Sequence, residues 1–260
     1  MNIANNMLLL QIEQLQVHIP TAQGMVHPVR DVSICLHAGE MLALVGESGS
    51  GKSLTAQAIM GLLPEHAMMT GKTLQFERTK IAMIFQNPMA SFNPVLSIGY
   101  QIAEPLRVLH GYNRKDAENE AVRLLERMKI RDARQKIHRY AHEFSGGMLQ
   151  RAAIAMALAC KPKLLIADEP TTALDVSTQA EVMTLLTELR HEENLGILFI
   201  THDLGLVSRY ADRVAVMYQG EIVETGNAPA VITAPQHAYT KTLLAALKIK
   251  PTPHSRNWAN

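Results

Sequence analysis

The sequence predicts an α/β fold with a mostly parallel core sheet, an antiparallel β edge and a helical insertion. Short, continuously apolar segments alternate with helical segments, a pattern typical of parallel strands covered by helices on both faces. A phosphate-binding loop motif directly follows one of these segments. The apolar segments are residues 41–45, 81–85, 164–167, 197–201 and 214–217.

The antiparallel edge is predicted at the start of the chain. Residues 8–19 alternate between apolar and polar side chains, which favours a half-buried strand. Residues 32–36 and 41–45 predict two further strands, with Ala38 and Gly39 forming the turn between them.

The segment after the phosphate loop predicts a helix to about Leu62, because Pro64 then prevents its continuation. Residues 65–79 are predicted to be irregular. The strand at 81–85 is predicted to end at Gln86, Asn87 and Pro88.

A helical subdomain is predicted over about residues 98–160. Within it, residues 114–128 carry their charges on one helix face, and a further helix is predicted at 147–160.

Helices are also expected at 177–192 and 237–248, before residues 250–260, where Pro251 and Pro253 predict a disordered end. No internal repeat or low-complexity linker is visible, so the prediction is one nucleotide-binding unit over residues 1–260.

The bulk composition excludes several classes. With 25 basic and 24 acidic residues the net charge is +1, which gives no general electrostatic attraction for nucleic acid. Cys35 and Cys160 lie in apolar surroundings without metal-ligand spacing, so structural burial is expected in a reducing compartment. The longest apolar run, residues 152–160, is too short to span a bilayer, which predicts a soluble or membrane-peripheral chain.

Residues 46–53 fit the pattern G-x-x-x-x-G-K-[ST], which predicts binding of a nucleoside triphosphate. Glycines let backbone N–H groups approach phosphates, the lysine offsets their charge, and the last serine hydroxyl is a ligand for Mg²⁺. The predicted binding residues of this loop are Gly46, Glu47, Ser48, Gly49, Ser50, Gly51, Lys52 and Ser53.

Two acidic residues, Asp168 and Glu169, follow the apolar segment 164–167. They suit a Mg²⁺-side acid and a general base for an attacking water, respectively. Taken alone, they equally fit polar residues that end a strand.

The segment Phe144 to Gln150 opens a predicted helix with Ser145, Gly146 and Gly147. It presents a hydroxyl and free backbone N–H groups to an anion. Taken alone, it also fits an ordinary helix N-cap.

These motifs, together with Gln86, the segment 173–175 and His202, occur in an order and spacing that resembles the ATP-binding cassette (ABC) proteins. The resemblance implies that Gln86 senses Mg²⁺ and the attacking water, and that His202 is the switch histidine near the γ-phosphate. Without the resemblance, a lone histidine is more often structural.

The resemblance implies ATP and Mg²⁺ as cofactors. It makes Glu169, His202 and Gln86 the catalytic residues, with Ser53, Gln86 and Asp168 at the metal. It also implies that Ser145, Gly146 and Gly147 bind the γ-phosphate of ATP held by a second cassette, either a homologous chain or a second copy. By the same resemblance, Asp175 makes contacts across that dimer interface.

Two positions depart from the family pattern. An aromatic residue usually stacks on adenine near the end of the first strand, where this chain has His18 and Ile19. The segment between Met69 and Lys80 is shorter than in many relatives, which puts the outer β-hairpin in question.

Residues 84–94 and 235–244 resemble the dipeptide, oligopeptide and nickel importers, and residues 145–151 resemble the nickel-import branch most closely. The expectation is therefore uptake of nickel or a nickel chelate, with peptide uptake as the alternative. A soluble cassette ATPase acting on DNA or ribosomes is the alternative of another class.

The implied partners are a second ABC ATPase subunit, two transmembrane permease subunits and an extracytoplasmic solute-binding protein, with no nucleic acid. The implied location is the cytoplasmic face of the bacterial inner membrane.

Overall fold

The computed structural model describes residues 7–246. The strands are β1 (Leu8–Thr21), β2 (Gly24–His37), β3 (Met41–Val45), β4 (Met68–Thr70), β5 (Thr73–Phe76), β6 (Ile81–Ile84), β7 (Leu164–Asp168), β8 (Gly196–Thr201), β9 (Arg213–Tyr218) and β10 (Glu221–Asn227). The helices are α1 (Lys52–Met60), α2 (Ile98–His110), α3 (Arg114–Arg127), α4 (Ala133–Lys136), α5 (Gly146–Ala159), α6 (Val176–Glu193), α7 (Leu204–Tyr210), α8 (Ala228–Thr233) and α9 (Ala238–Ala246).

The sheet has a parallel part and an antiparallel edge. Along the order β9, β3, β8, β7, β6, every neighbouring pair is parallel. On the other side, β10 is antiparallel to β9, and β1 is antiparallel to β2, β4 and β5. The predicted α/β fold, with its mostly parallel core and antiparallel edge, is therefore confirmed.

The side chains of β3 alternate between the two hydrophobic cores, as the two-residue period of a strand requires. Met41, Ala43 and Val45 belong to the cluster that includes buried residues of α2, α3, α5 and α6. Leu42 and Leu44 belong to the cluster formed with β1, β2 and α1. Because both faces are covered, every residue of β3 is buried, and its carboxyl end is held rigidly where the phosphate loop begins.

The predicted helical insertion is also present, because residues 98–159 contain α2, α3, α4 and α5. Helices α2 and α3 begin at side-chain caps. Ser97 accepts the N–H of Tyr100, and Asn113 accepts the N–H of Asp116. The predicted helices at 177–192 and 237–248 correspond to α6 and α9, although residues 247–260, with the expected disordered end, lie outside the described residues.

Three expectations about the edge and the loops were wrong. The segment 65–79 is not irregular throughout, since β4 and β5 pair with β1 and supply the outer strands that were in question. Strand β2 begins at Gly24 rather than at residue 32. The turn at Ala38 and Gly39 is present, but the strand at 41–45 does not belong to the antiparallel edge, because β10 and β9 lie between β2 and β3 in the sheet.

The two cysteines are free and half-buried, and burial raises the pKa of the Cys160 thiol. Among residues 7–246, no helix is both long and apolar enough to cross a membrane.

Candidate active site

The phosphate loop connects β3 to α1 through a backbone that requires glycine at two points. Gly51 has φ +108°, and a Cβ there would lie 2.4 Å from the carbonyl oxygen of Pro28. At Gly46 a Cβ would lie 2.2 Å from the carbonyl oxygen of Met217. The loop is therefore packed closely against β2 and β9, which explains the first and last glycines of the motif.

The Lys52 ammonium lies inside this loop. Its Nζ donates to the carbonyl oxygens of Gly46 at 2.8 Å and Glu47 at 2.7 Å. Burial lowers the pKa of Lys52, against the opposing influence of the carboxylates of Glu169 and Asp168. A buried cation among backbone carbonyls is suited to exchange these contacts for phosphate oxygens.

Ser53 and Asp168 come together at the ends of two different elements, as predicted. The Ser53 hydroxyl donates to Oδ1 of Asp168 at 3.2 Å, although the two residues are 115 positions apart in the chain. Asp168 ends β7 and is only 6% exposed. Burial raises the pKa of the Asp168 carboxyl, and the neighbouring Glu169 adds to that rise.

The Glu169 carboxylate accepts hydrogen bonds from three side chains. Gln86 Nε2 donates to Oε2 at 3.0 Å, Thr172 Oγ1 donates to the same oxygen at 2.8 Å, and His202 Nδ1 lies 3.2 Å from Oε1. The structure thus brings together the three predicted catalytic residues Gln86, Glu169 and His202. Thr172 is a partner that the sequence analysis missed.

The backbone of Glu169 is also constrained. Its φ is +46°, a conformation that L-residues rarely adopt, and its N–H donates to the carbonyl oxygen of Ile200. Burial alone would raise the pKa of Glu169, but the hydrogen bonds from Thr172 and His202 outweigh it and lower that pKa. The carboxylate is therefore held in its charged form at the mouth of β7.

A second group of predicted residues lies at the starts of α5 and α6. Ser145 caps α5, and its hydroxyl accepts the Met148 N–H at 3.4 Å. A Cβ on Gly147 would lie 2.4 Å from Cγ2 of Thr178, so the first turn of α5 touches the first turn of α6. Ser145 and Gly146 remain exposed.

Asp175 caps α6 and accepts three hydrogen bonds. Ser177 Oγ donates to Oδ1 at 2.5 Å, the Thr178 N–H donates to Oδ1 at 3.0 Å, and Thr178 Oγ1 donates to Oδ2 at 2.7 Å. These bonds hold the pKa of the Asp175 carboxyl well below its usual range. Within one chain, both Ser145 and Asp175 thus act as helix caps.

The ring of His18, considered above for stacking on a base, packs edge-on against His27. Their centroids are 4.7 Å apart, and their Nδ1 atoms are 2.5 Å apart. Among the described residues this ring contact joins β1 to β2, and stacking on adenine stays a prediction.

Ser53 at the start of α1 and Asp168 at the end of β7 fit a Mg²⁺ ion that is shared with a nucleotide. Ser53 and Asp168 offer hydroxyl and carboxylate oxygens 3.2 Å apart, and oxygen ligands are those that Mg²⁺ prefers. The third predicted ligand, Gln86, instead contacts Glu169 through its amide nitrogen. Within residues 7–246 no group of three or more His, Cys, Asp or Glu side chains forms a metal cluster.

Comparison with known proteins identifies the family. Residues 29–172 match the model of the ABC transporter family. The chain is 46% identical to the glutathione import ATP-binding protein GsiA of Escherichia coli K12, and equally to that of Shigella flexneri. Each alignment covers 92% of this chain but 42% of the relative, so the chain spans less than half the length of the curated relatives it matches.

Solved structures agree with this result. The chain superposes on cbiO1 of Clostridium perfringens, part of the ABC transporter complex cbiONQ, with a TM-score of 0.72 and 27% identity. This superposition covers 87% of this chain and 91% of cbiO1. The dimeric bacterial cassette MJ0796 gives a TM-score of 0.72 at 25% identity and covers 85% and 99% of the two chains, respectively. With a matching family model, a matching fold and the phosphate loop and carboxylates described above, the chain belongs to the ABC transporter family.

Proposed function

We propose that this chain is the ATP-hydrolysing subunit of an ABC importer. The observation that carries this proposal is the convergence of Gln86, Thr172 and His202 on the Glu169 carboxylate, beside the Ser53–Asp168 pair. A phosphate loop alone would fit many nucleotide-binding proteins. Hydrolysis by an activated water requires an oriented carboxylate next to the ligands of a metal ion, and the Ser53–Asp168 pair is the candidate for those ligands.

In the proposed reaction, the backbone N–H groups of residues 48–53 and the Lys52 ammonium bind the phosphates of ATP. Lys52 exchanges its contacts with the Gly46 and Glu47 carbonyl oxygens for phosphate oxygens. Ser53 and Asp168, with Gln86 as the predicted third ligand, would hold Mg²⁺, which neutralises charge on the transferred phosphoryl group.

Glu169 would accept the proton of the attacking water. Its lowered pKa keeps it ionised, but the hydrogen bonds from Thr172 and His202 that lower this pKa also weaken it as a base. The attacking water also needs an acceptor position on this carboxylate, and Oε2 already accepts two donors, so we infer that one of them moves away. Gln86 is the candidate, since it lies in the loop after β6, whereas Thr172 is only three residues from Glu169 in the chain. His202 would remain near the γ-phosphate.

Two cassettes would form the complete site. The exposed Ser145 and Gly146 present the N-terminus of α5, where unpaired N–H groups and the helix dipole favour an anion. We infer that Ser145, Gly146 and Gly147 bind the γ-phosphate of ATP held by the opposite cassette, with Asp175 at the same interface. The similar cassette MJ0796 has a dimeric structure, which supports this assembly.

The membrane partners would dock beside Gln86. The segment between β6 and the first turn of α2 carries exposed apolar side chains, namely Phe85, Met89, Val95 and Tyr100. Because Phe85 directly precedes Gln86, which contacts Glu169, these exposed apolar residues are suited to transmit the hydrolytic state to a permease. We propose two permease subunits, a solute-binding protein outside the membrane and a position on the cytoplasmic face of a bacterial inner membrane.

Small peptides of the glutathione class are the proposed cargo, because the similar relatives named above are glutathione import proteins. Nickel, expected from the resemblance of residues 145–151 to the nickel-import subunit NikD, has weaker support. That resemblance depended on Leu149. This side chain is only 2% exposed in α5, so it cannot contact cargo or a partner and does not determine which cargo is transported.

Uptake in cells lacking this gene tests the proposal. The strain is complemented with the wild-type chain or with Glu169→Gln, and uptake of labelled glutathione, a labelled dipeptide and radioactive nickel is measured. We expect wild type alone to restore peptide uptake. If wild type restored only nickel uptake, the proposal of a small-peptide cargo would be wrong. Binding of the purified chain to DNA or ribosomes in a salt-sensitive pull-down, with no uptake restored, would favour a soluble cassette ATPase.

A further inference from the structure

The C-terminal helix reaches the phosphate loop through one hydroxyl group. Tyr239, in the first turn of α9, accepts the backbone N–H of Glu47 on its Oη at 3.1 Å. The two residues are 192 positions apart in the chain. None of the roles assigned above to the loop, the carboxylates or the helix caps uses this contact.

The ring of Tyr239 is held from one side by Tyr218. Their centroids are 4.1 Å apart with an interplanar angle of 30°, which is a stacked pair. Tyr218 is the last residue of β9, the strand that neighbours β3 in the sheet. The ring therefore rests on the same rigid sheet that carries the phosphate loop.

The turn that precedes α9 is fixed by a carboxylate of β10. Glu224 accepts the N–H of Gln236 at 2.8 Å and the N–H of His237 at 3.0 Å. His237 Nδ1 then accepts the N–H of Tyr239 at 3.2 Å. Residues 235–240 lie in the segment whose sequence indicated an importer. Their hydrogen bonds to Glu224 and within the turn fix the position of Tyr239.

The hydroxyl of that tyrosine completes the hydrogen bonding of Glu47. The Glu47 carbonyl oxygen accepts Lys52 Nζ at 2.7 Å and the Ser50 N–H at 3.2 Å, while Tyr239 takes the Glu47 N–H. Both polar backbone groups of this residue are therefore engaged, and the first turn of the loop is defined before a phosphate binds.

We propose that Tyr239 is a positioning residue for the phosphate loop, which its hydroxyl holds in the phosphate-binding conformation through the Glu47 N–H. This proposal rests on the proposed function for the claim that the loop binds ATP. It assigns the C-terminal segment 235–240 to the nucleotide site of its own chain. A tyrosine that only anchored α9 would act through its ring and leave the loop unchanged.

Tyr239→Phe separates these roles, since it removes the hydroxyl and keeps the stacked ring. The matched control is Tyr218→Phe, which removes a hydroxyl from the same ring pair, where the partner is Gln219 Nε2 rather than the loop. Hydrogen exchange at the Glu47 amide, the Kd for ATP and the melting temperature are measured for both variants and wild type. The exchange measurement is made without nucleotide.

We expect Tyr239→Phe alone to speed exchange at Glu47 and to raise the Kd for ATP about 3- to 10-fold, the weight of one hydrogen bond. Melting temperatures of the two variants should agree closely. Equal exchange at Glu47 in the two variants, or an unchanged Kd in Tyr239→Phe, would overturn the positioning role. If wild type itself does not bind ATP, the proposed function fails, whereas the exchange comparison still decides whether the hydroxyl holds the loop.

Discussion

Gln86 and Glu169 are joined by a hydrogen bond of 3.0 Å from the amide Nε2 to Oε2 of the carboxylate. The bond connects the loop after β6 to the end of β7, across neighbouring parallel strands. Phe85, the first of the exposed apolar residues that we propose as permease contacts, directly precedes Gln86, so a movement there would reach the carboxylate through one amide group. We therefore expect permease docking to be coupled to hydrolysis through this contact.

Glu169→Gln is expected to lower ATP turnover by about 10²- to 10⁴-fold, the usual weight of a general base, while ATP binding persists. The amide has the same shape and still accepts hydrogen bonds on one oxygen, but it cannot take a proton from water. Phosphate release by the assembled transporter and the Kd for ATP are the measurements. Glu188→Gln is a matched control, because Glu188 is an exposed carboxylate paired with Lys129. Turnover lowered equally by both changes would remove Glu169 from the base role.

Asp168→Asn is expected to stabilise the protein without nucleotide and to weaken Mg²⁺-dependent ATP binding. The asparagine oxygen can still accept the Ser53 hydroxyl, while the charge that burial penalises is removed. Melting temperatures report the first effect, and the Kd for ATP with and without Mg²⁺ reports the second. A lower melting temperature, or an unchanged effect of Mg²⁺, would contradict the assignment of Asp168.

The difference in stability between wild type and Asp168→Asn should depend on pH in a defined direction. Since the folded pKa of Asp168 is raised, its protonated form favours the folded state, and that stability is lost as pH rises from the ordinary aspartate value through the raised one. Glu169, with its lowered pKa, acts in the opposite direction but is present in both proteins. The advantage of Asp168→Asn in melting temperature should therefore grow from about pH 4 upward. A constant difference across pH would show that Asp168 does not titrate as described.

Ser145→Arg is expected to abolish ATP-driven dimerisation in the Glu169→Gln background while one chain still binds ATP. The change places a long cation at the exposed start of α5, where we propose that a second cassette docks. Size-exclusion chromatography with ATP reads the dimer. Asn113→Arg is the matched control, because Asn113 is also an exposed N-cap but belongs to α3. Dimers that persist in Ser145→Arg, or that are lost equally in both variants, would argue against the interface.

The parallel strands could be read from the sequence because burial on both faces leaves short, continuous apolar runs. Strands β4 and β5 could not, since their side chains are largely exposed and main-chain pairing with β1 defines them. Strand β10 was missed for a similar reason, because none of its residues is buried. The first half of β2 was not predicted either, because it contains Pro28 and its side chains are mostly exposed.

The residues of the candidate site also differ in whether the local sequence predicts them. The phosphate loop, Asp168 and Glu169 follow apolar strands with fixed spacing, so local pattern was sufficient to predict them. Thr172 and Tyr239 carry no such signal. One is a common hydroxyl residue in a loop, and the other reaches Glu47 from 192 positions away through the folded sheet. Contacts of this kind depend on tertiary packing that no local pattern encodes.

Gly147→Ala is expected to destabilise the fold, whereas Gly146→Ala should not. A Cβ at 147 would lie 2.4 Å from Cγ2 of Thr178, but a Cβ at 146 would have only Leu174 Cδ2, at 3.8 Å. Overpacking of this kind costs about 1–3 kcal/mol, and alanine otherwise favours a helix over glycine. Thr178→Ser removes Cγ2 and keeps the hydroxyl that donates to Asp175, so it should restore the melting temperature of Gly147→Ala. Additive effects of the two changes in a double-mutant cycle would show that α5 and α6 are not coupled at this contact.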